Sequence, residues 1–308
     1  MYPNPSMSAW TPRKHADAFA RMLQDEQRMT AFRQALDACV TPDSIVADVG
    51  TGLGVLALFA AKAGAKRVYA IEKQAGAAEL AQQMFAANGM ADRVQVIIGE
   101  AQNISLPEQA DIVVSELIGT AGSDEHIQQI LGGFCRRNLR PGGQVLPREV
   151  ECLIAPSSYS DLTNGLASPS LSDLALEPLA QLPGEANMSF RPAQGGVELL
   201  AEPMAYERIA VGHTEVVAAD PLHARIDITT AGILRSFVLW FRATVGADKD
   251  GHALIIENRP GEYRPSWSSA VFTIAAPVAV KPGDSFMVSI DTGRRSHCLN
   301  WHIRHHQA

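Results

Sequence analysis

The segment DVGTGLG, residues 48–54, constrains this chain more than any other, because it places three glycines between an apolar run and an Ala/Leu-rich run. The residues before it (SIVA) have strand character, and those after it (VLALFAAKAG) have helical character and end at Gly64. Glycines in such a turn let the backbone pass close to a bound ligand, and the amides at the helix N-terminus face that ligand. A dinucleotide-binding GxGxxG motif would have its third glycine at position 55, which is valine, so a nicotinamide cofactor is disfavoured.

Segments of helical and strand character alternate through the first half of the chain. Residues 16–40 show helical periodicity, and the strand-like runs RVYAIE, RVQVII and DIVVSE come later. This order predicts βαβ units and a parallel sheet covered on both faces. The Pro and Gly residues of RPGGQVLP predict a turn into a second module of short strand-like runs. We therefore expect an α/β, Rossmann-like domain with a parallel central sheet at 1–149, followed by a β-barrel-like domain at 150–308.

Composition excludes several classes of protein. The net charge is −7 and Lys and Arg form no cluster, so we expect no nucleic-acid partner. No apolar run approaches the ~20 residues that span a bilayer, and the N-terminus has no secretory pattern, so we expect no membrane association and a cytoplasmic location. The four cysteines, at 39, 135, 152 and 298, form no CxxC pair, so we expect neither a disulfide framework nor a metal site.

An acidic residue closes the strand that follows the glycine segment. Glu72 ends RVYAIE, 24 residues after Asp48. A carboxylate at this place can accept hydrogen bonds from both ribose hydroxyls of a nucleoside. The combination of GxGxG with a strand-end carboxylate resembles the general pattern of the methyltransferase superfamily, which implies S-adenosylmethionine as the cofactor. The alternative is an ordinary Gly-rich turn with a solvated glutamate.

Two glutamates flank a Gly-rich loop after the next strand of the predicted sheet. Glu116 ends DIVVSE, and Glu125 follows nine residues later, far enough for a hairpin loop to return it beside Glu116. Two converging carboxylates repel each other unless a cation lies between them, and a planar guanidinium with five N–H donors suits such a clamp. The alternative is that Glu116 is a helix N-cap and Glu125 a solvated loop residue.

These segments resemble the protein arginine methyltransferase family over nearly the whole chain. The spacing SEx8E is similar to that family's double-Glu loop, and MLQDEQR, residues 22–28, resembles its M-L-x-D-x-x-R segment, whose arginine holds the cofactor's carboxylate. The resemblance implies that Glu116 and Glu125 are catalytic, and that Gln102 stands where the family often has an adenine-side Glu. It implies the following residues as the binding site of S-adenosyl-L-methionine: Met22, Arg28, Asp48, Gly50, Gly52, Gly54, Glu72 and Gln102.

The β half carries both a match to this family and a departure from it. RPSWSSAVFTIAAPVAVKPGDSF resembles the segment with the family's Thr-His-Trp loop, but Ser266 replaces the His while Trp267 remains. We expect both residues to contact substrate. The Ser-Trp pair, with APSSY and LNWH, resembles the symmetric-dimethylating branch, whereas Met22 resembles the asymmetric one, so the methylation state of the product stays open. The family's N-terminal YFxxY lid motif is absent, with only Trp10 and Phe19 as partial substitutes.

The altered lid and the bare catalytic core favour N-methylation of the guanidino group of free arginine or of another small guanidino compound. Three alternatives stay open: N-methylation of arginine in a protein, methylation of another atom such as a carbon, and a scaffold that binds the cofactor without catalysis. The resemblance also implies a homodimer formed through an arm in the β half, for which residues 156–200 are the candidate.

Overall fold

A computed structural model describes residues 19–159, 188–192, 197–213, 222–260, 266–290 and 305–306. Trp10, LNWH, Cys298 and most of the candidate arm lie outside these residues. None of the described helices is both long and apolar enough to cross a membrane.

The first half of the chain forms a five-stranded parallel sheet in the order β3-β2-β1-β4-β5. Its elements are α1 (Glu26–Cys39), β1 (Ile45–Val49), α2 (Val55–Lys62), β2 (Arg67–Glu72), α3 (Ala75–Ala87), β3 (Val94–Ile98), a 3-10 helix (Ala101–Asn103), β4 (Ala110–Ser115), α4 (Ile127–Asn138) and β5 (Leu139–Leu146). Strand β1 is buried along its whole length and lies between β2 and β4. The carboxyl ends of these three strands therefore meet at one edge of the sheet, where parallel sheets bind ligands.

The second half forms antiparallel sheets. Its strands are β6 (Glu149–Ser157), β7 (Met188–Pro192), β8 (Met204–Ala210), β9 (Leu222–Asp227), β10 (Gly232–Ala247), β11 (Ala253–Glu257), β12 (Ser268–Val280), β13 (Ser285–Ile290) and β14 (His305–His306). One sheet has the order β7-β12-β10-β6-β8, with β11 also paired to β10, and the other has the order β14-β13-β9. The predicted fold class, a Rossmann-like parallel sheet followed by a β module, is confirmed, and the described pairings form two sheets rather than one closed barrel.

Two local predictions were wrong. The helical pattern of residues 16–40 is interrupted, because Asp25 leaves the helical conformation and caps α1, its Oδ1 accepting the Arg28 N–H at 3.2 Å. The RPGG turn lies inside β5 as a bulge, since the pairing with β4 jumps from Ala110–Leu139 to Ile112–Gln144. In both cases a local signal, a cap or a Pro/Gly pair, interrupts a helix or strand but does not change the direction of the chain.

Candidate active site

The glycine segment after β1 adopts the left-handed backbone conformation that favours glycine. The φ angles of Gly50, Gly52 and Gly54 are +75°, +54° and +82°. A Cβ on Gly54 would lie 2.4 Å from the ring of Phe85 in α3, so this glycine is required sterically as well. The N–H groups of Gly50 and Thr51 both donate to the Ile71 carbonyl at 2.9 Å, which ties the segment to β2.

Asp48 stabilises the glycine segment through hydrogen bonds. It is buried, and its Oδ2 accepts hydrogen bonds from the Thr51 hydroxyl at 2.5 Å and from the Ala57 N–H at 2.9 Å. Burial raises the pKa of Asp48 to about 7, although both hydrogen bonds oppose the shift. Through these two bonds Asp48 holds the turn and the start of α2, so its expected role toward the cofactor is to shape the turn.

Glu72 lies where the ribose of a bound nucleoside was predicted. Its Oε2 accepts the Gly52 N–H at 3.0 Å and its Oε1 accepts the Gln74 N–H at 2.8 Å, while the residue is only 8% exposed. An ionised carboxylate has about four acceptor positions, so each oxygen retains one for a further donor. The carboxylate is therefore fixed in place and still able to accept two hydroxyls, which fits the predicted cofactor.

The side chain of Arg28 lies in the same region and is only partly hydrogen-bonded. Its Nη2 pairs with Oε2 of Glu116, whereas its Nε and Nη1 are buried without a hydrogen-bond partner among the described residues. Buried guanidinium N–H groups are costly when unpaired, so an anionic ligand group such as a carboxylate fits here. The guanidinium carbon also lies 5.1 Å from the ring centroid of Trp267.

The remaining predicted cofactor residues are Met22 and Gln102. Met22 is partly buried in a helical segment at 19–23, and the ring of Phe19 in that segment would lie 3.4 Å from a Cβ on Gly52. Gln102 is exposed in the 3-10 helix, and its carbonyl accepts a hydrogen bond from Arg137. Phe19 thus lies against the glycine segment, whereas the described contact of Gln102 is made by its backbone.

A hairpin-like loop returns the chain after Glu116. The backbone N–H and C=O groups of Gly119 and Gly122 exchange two hydrogen bonds of 3.1 Å. The Asp124 carboxylate accepts the N–H groups of Thr120 at 3.0 Å and Ala121 at 2.9 Å. These bonds fold residues 116–125, here called the double-Glu loop, back on themselves, which brings Glu125 toward Glu116.

The two glutamates have perturbed acidities. The side chain of Glu116 is 7% exposed, and burial raises its pKa although the charge of Arg28 opposes the shift. Solvent reaches Glu125, yet the surrounding protein raises its pKa to about 7, first by desolvation and then through the negative charges of Glu116 and Asp124. Both causes are the ones that two converging carboxylates produce. A cation between the two carboxylates would relieve their repulsion.

Residues from the β half hold this loop. The Trp267 indole donates to the Ile118 carbonyl at 3.0 Å, and the Tyr206 hydroxyl donates to the Ala121 carbonyl at 2.9 Å. Ser266 acts through its backbone, whose N–H donates to Oδ2 of Asp25 at 2.7 Å. The predicted contacts of Trp267 and Ser266 with substrate stay predictions, and the described contacts of these residues are with the loop and with Asp25. The sequence carried no signal for Tyr206, and it did not indicate that Asp124 holds the loop, since no local motif marks these roles.

Comparisons with known proteins agree with this geometry. Residues 31–124 match the family model described as ribosomal protein L11 methyltransferase (PrmA). Over 149 residues the chain is 33% identical to probable protein arginine N-methyltransferase 6 of Arabidopsis thaliana, a match that covers 48% of this chain and only 34% of that protein. The chain thus spans about a third of the length of this curated relative.

Two further likenesses extend over more of the chain. Protein arginine N-methyltransferase 6 of Xenopus laevis is 29% identical over 244 residues, which cover 74% of this chain and 70% of that protein. A solved structure, the Trypanosoma brucei PRMT1 enzyme-prozyme heterotetrameric complex with AdoHcy, has the same fold, with a TM-score of 0.79, 18% identity and coverage of 97% of this chain and 96% of that one. With its glycine segment, its strand-end Glu72 and its double-Glu loop, the chain is similar to protein arginine N-methyltransferases over most of its length.

Proposed function

We propose that this chain methylates a terminal guanidino nitrogen of arginine residues in proteins, with S-adenosylmethionine as the methyl donor. The observation that carries this proposal is the convergence of Glu116 and Glu125 beside the partly unpaired Arg28. The names of the relatives support a protein substrate, so the expectation of free arginine gives way to the alternative that the sequence left open.

The cofactor supplies an electrophilic methyl group when it is bound. We infer that Arg28 holds its carboxylate through Nε and Nη1, that Glu72 accepts its ribose hydroxyls, and that the glycine segment allows close backbone approach. Met22, Asp48 and Gln102 stay predicted contacts. None of these residues needs to move a proton, so their contribution is to bind and orient.

The two glutamates act on the substrate. Glu116 and Glu125 bind the guanidinium from two sides and draw its positive charge toward the nitrogens they contact. The terminal nitrogen that is left keeps more of its lone pair for attack on the methyl group. Holding the reacting atoms in a fixed geometry supplies much of the expected rate enhancement.

A carboxylate also accepts the proton that the substrate nitrogen releases. Glu125 suits this role, because Glu116 is already paired with Arg28, whereas solvent reaches Glu125 and can carry the proton away. The family resemblance would place a histidine at position 266, and the chain has serine there. We therefore assign the proton to Glu125 rather than to a histidine.

A labelled-methyl transfer assay tests the proposal. Substrates are an Arg/Gly-rich peptide, the same peptide with Lys in place of each Arg, free arginine and small guanidino acids, and fragmentation mass spectrometry reads the products. We expect label on guanidino nitrogens of the Arg peptide and none on the Lys peptide. Label on free arginine alone would replace the protein substrate by a small one, label on carbon would refute N-methylation, and no label would leave a cofactor-binding scaffold.

We also propose that the chain forms a homodimer. The support is the family resemblance, since most of the candidate arm at 156–200 lies outside the described residues. Light scattering tests this directly, because a 33.1 kDa particle at working concentration would refute it.

A further inference from the structure

Asn258, directly after β11, is fully buried and uses its whole side-chain amide. Its Nδ2 donates to the carbonyls of Thr120 and Ser268, both at 2.8 Å, and its Oδ1 accepts the Phe241 N–H at 2.7 Å. The Phe241 bond fixes the orientation of the amide, because a flipped amide would place N–H against N–H and oxygen against two carbonyls. Asn258 therefore joins three segments: β10, the start of β12 and the double-Glu loop.

The bond to Thr120 reaches the middle of the double-Glu loop. Thr120 is four residues after Glu116 and five before Glu125. The bonds within the loop, through Gly119, Gly122 and Asp124, set its shape, but they do not set its place relative to the β half. The position of the loop relative to the β half depends on side chains of the β half that contact the loop. One of them is Asn258, which is fully buried and bonds both to the loop and to the strands of the β half.

We propose that Asn258 is a positioning residue for the Glu116–Glu125 pair, holding the loop that carries both carboxylates against β10 and β12. The inference rests on the proposed function. It adds to that function a residue 133 positions beyond Glu125, whose side-chain amide bonds to Thr120, Ser268 and Phe241. Loss of its two donors leaves the Thr120 carbonyl without this partner and lets the loop shift. A displacement of about 1 Å is enough to lower a rate by about 100-fold.

The chain contains a matched control in the first half. Asn138, at the end of α4, is also buried, and its Oδ1 accepts the Leu106 N–H at 2.8 Å. Its Nδ2 donates to the carbonyls of Ile104 and Phe134, both at 3.1 Å. The two asparagines thus make the same three kinds of bond, but the loop that Asn138 holds carries neither glutamate.

The test compares Asn258→Asp with Asn138→Asp in the full chain. Each substitution keeps the acceptor and removes both donors, so both are expected to lower the melting temperature. We expect Asn258→Asp to lower kcat on the Arg peptide by about 100-fold at saturating cofactor, with the Kd for S-adenosylhomocysteine changed by less than about threefold. Asn138→Asp should keep kcat within about threefold of the parent. Equal kcat losses in the two variants, or an unchanged kcat in Asn258→Asp, would overturn the inference.

Hydrogen exchange gives a readout that needs no activity. In Asn258→Asp, amides of residues 116–125 should exchange faster while those of residues 50–54 keep their protection. If the parent chain methylates no substrate, the proposed function fails and this exchange pattern alone decides the inference, since uniform or absent loss of protection overturns it. If Asn258→Asp does not fold, Asn258→Ala and Asn138→Ala, which leave room for water at the freed groups, replace the pair.

Discussion

The glycine segment at 50–54 and the double-Glu loop at 116–125 lie at the same sheet edge but are held differently. The first is braced by its own half of the chain, through Asp48, Glu72 and the Ile71 carbonyl. The second makes bonds of its own but is fixed in place by the β half, through Trp267, Tyr206 and Asn258. The glycine segment is thus held within one half of the chain, whereas the position of the double-Glu loop depends on both halves.

The largest effect is expected from Glu116→Gln. This change removes a buried charge from the proposed clamp, and it should lower transfer to the Arg peptide by about 10³-fold, as for other fixed electrostatic groups in active sites. Glu116 contacts the proposed cofactor site only through Nη2 of Arg28, so binding of S-adenosylhomocysteine should change much less, which calorimetry measures. Glu108→Gln, which lies just before β4 and contacts the Tyr69 hydroxyl at 2.9 Å, is the control at the opposite end of this strand. Near-normal turnover of Glu116→Gln would contradict the clamp.

A substitution at Gly54 tests the packing of the glycine segment. Gly54→Ala adds left-handed strain and a contact of 2.4 Å with Phe85, so it should lower the free energy of unfolding by roughly 2–4 kcal/mol. Gly64→Ala is matched in its strain, with φ +105°, but its Cβ would meet nothing within 4 Å, so it should cost only about 1–2 kcal/mol. Thermal unfolding compares the two, and equal losses would mean that the Phe85 contact relaxes at little cost.

The dependence of activity on pH should come from the double-Glu loop. Glu125 binds a guanidinium when it is ionised, so kcat/KM should fall by about tenfold per pH unit below its pKa of about 7 and level off above it. Asp48 also has a pKa of about 7, so the profile is repeated in Asp48→Asn, which is isosteric with the protonated acid. The acidic limb should persist in that variant, and its disappearance would assign the titration to the glycine segment instead.

The smallest effect is expected from Glu72→Gln. The neutral amide keeps its shape but weakens the hydrogen bonds to the Gly52 N–H and to the proposed ribose hydroxyls, so the affinity for S-adenosylhomocysteine should fall by about tenfold. At saturating cofactor kcat should change by less than about threefold, because Glu72 binds and does not react. A kcat loss as large as that of Glu116→Gln would mean that Glu72 takes part in the reaction as well as in binding.

The same difference explains what could be predicted from the sequence. The glycine segment, Glu72 and the Glu116–Glu125 spacing are local patterns, and the structure places them at one sheet edge. Asn258 and Tyr206 contact the loop across 138 and 85 residues, so no periodicity or spacing could reveal them. The break at Asp25 was missed because a cap within a helical pattern looks like one more polar helical residue.

The contact between Asp25 and position 266 has a consequence for variation within such chains. Asp25 caps α1 with one oxygen and binds the backbone N–H of residue 266 with the other, so this bond does not depend on the side chain at 266. Any residue except proline can supply that N–H. Substitutions at position 266 other than proline are therefore expected to keep this bond between α1 and the β half.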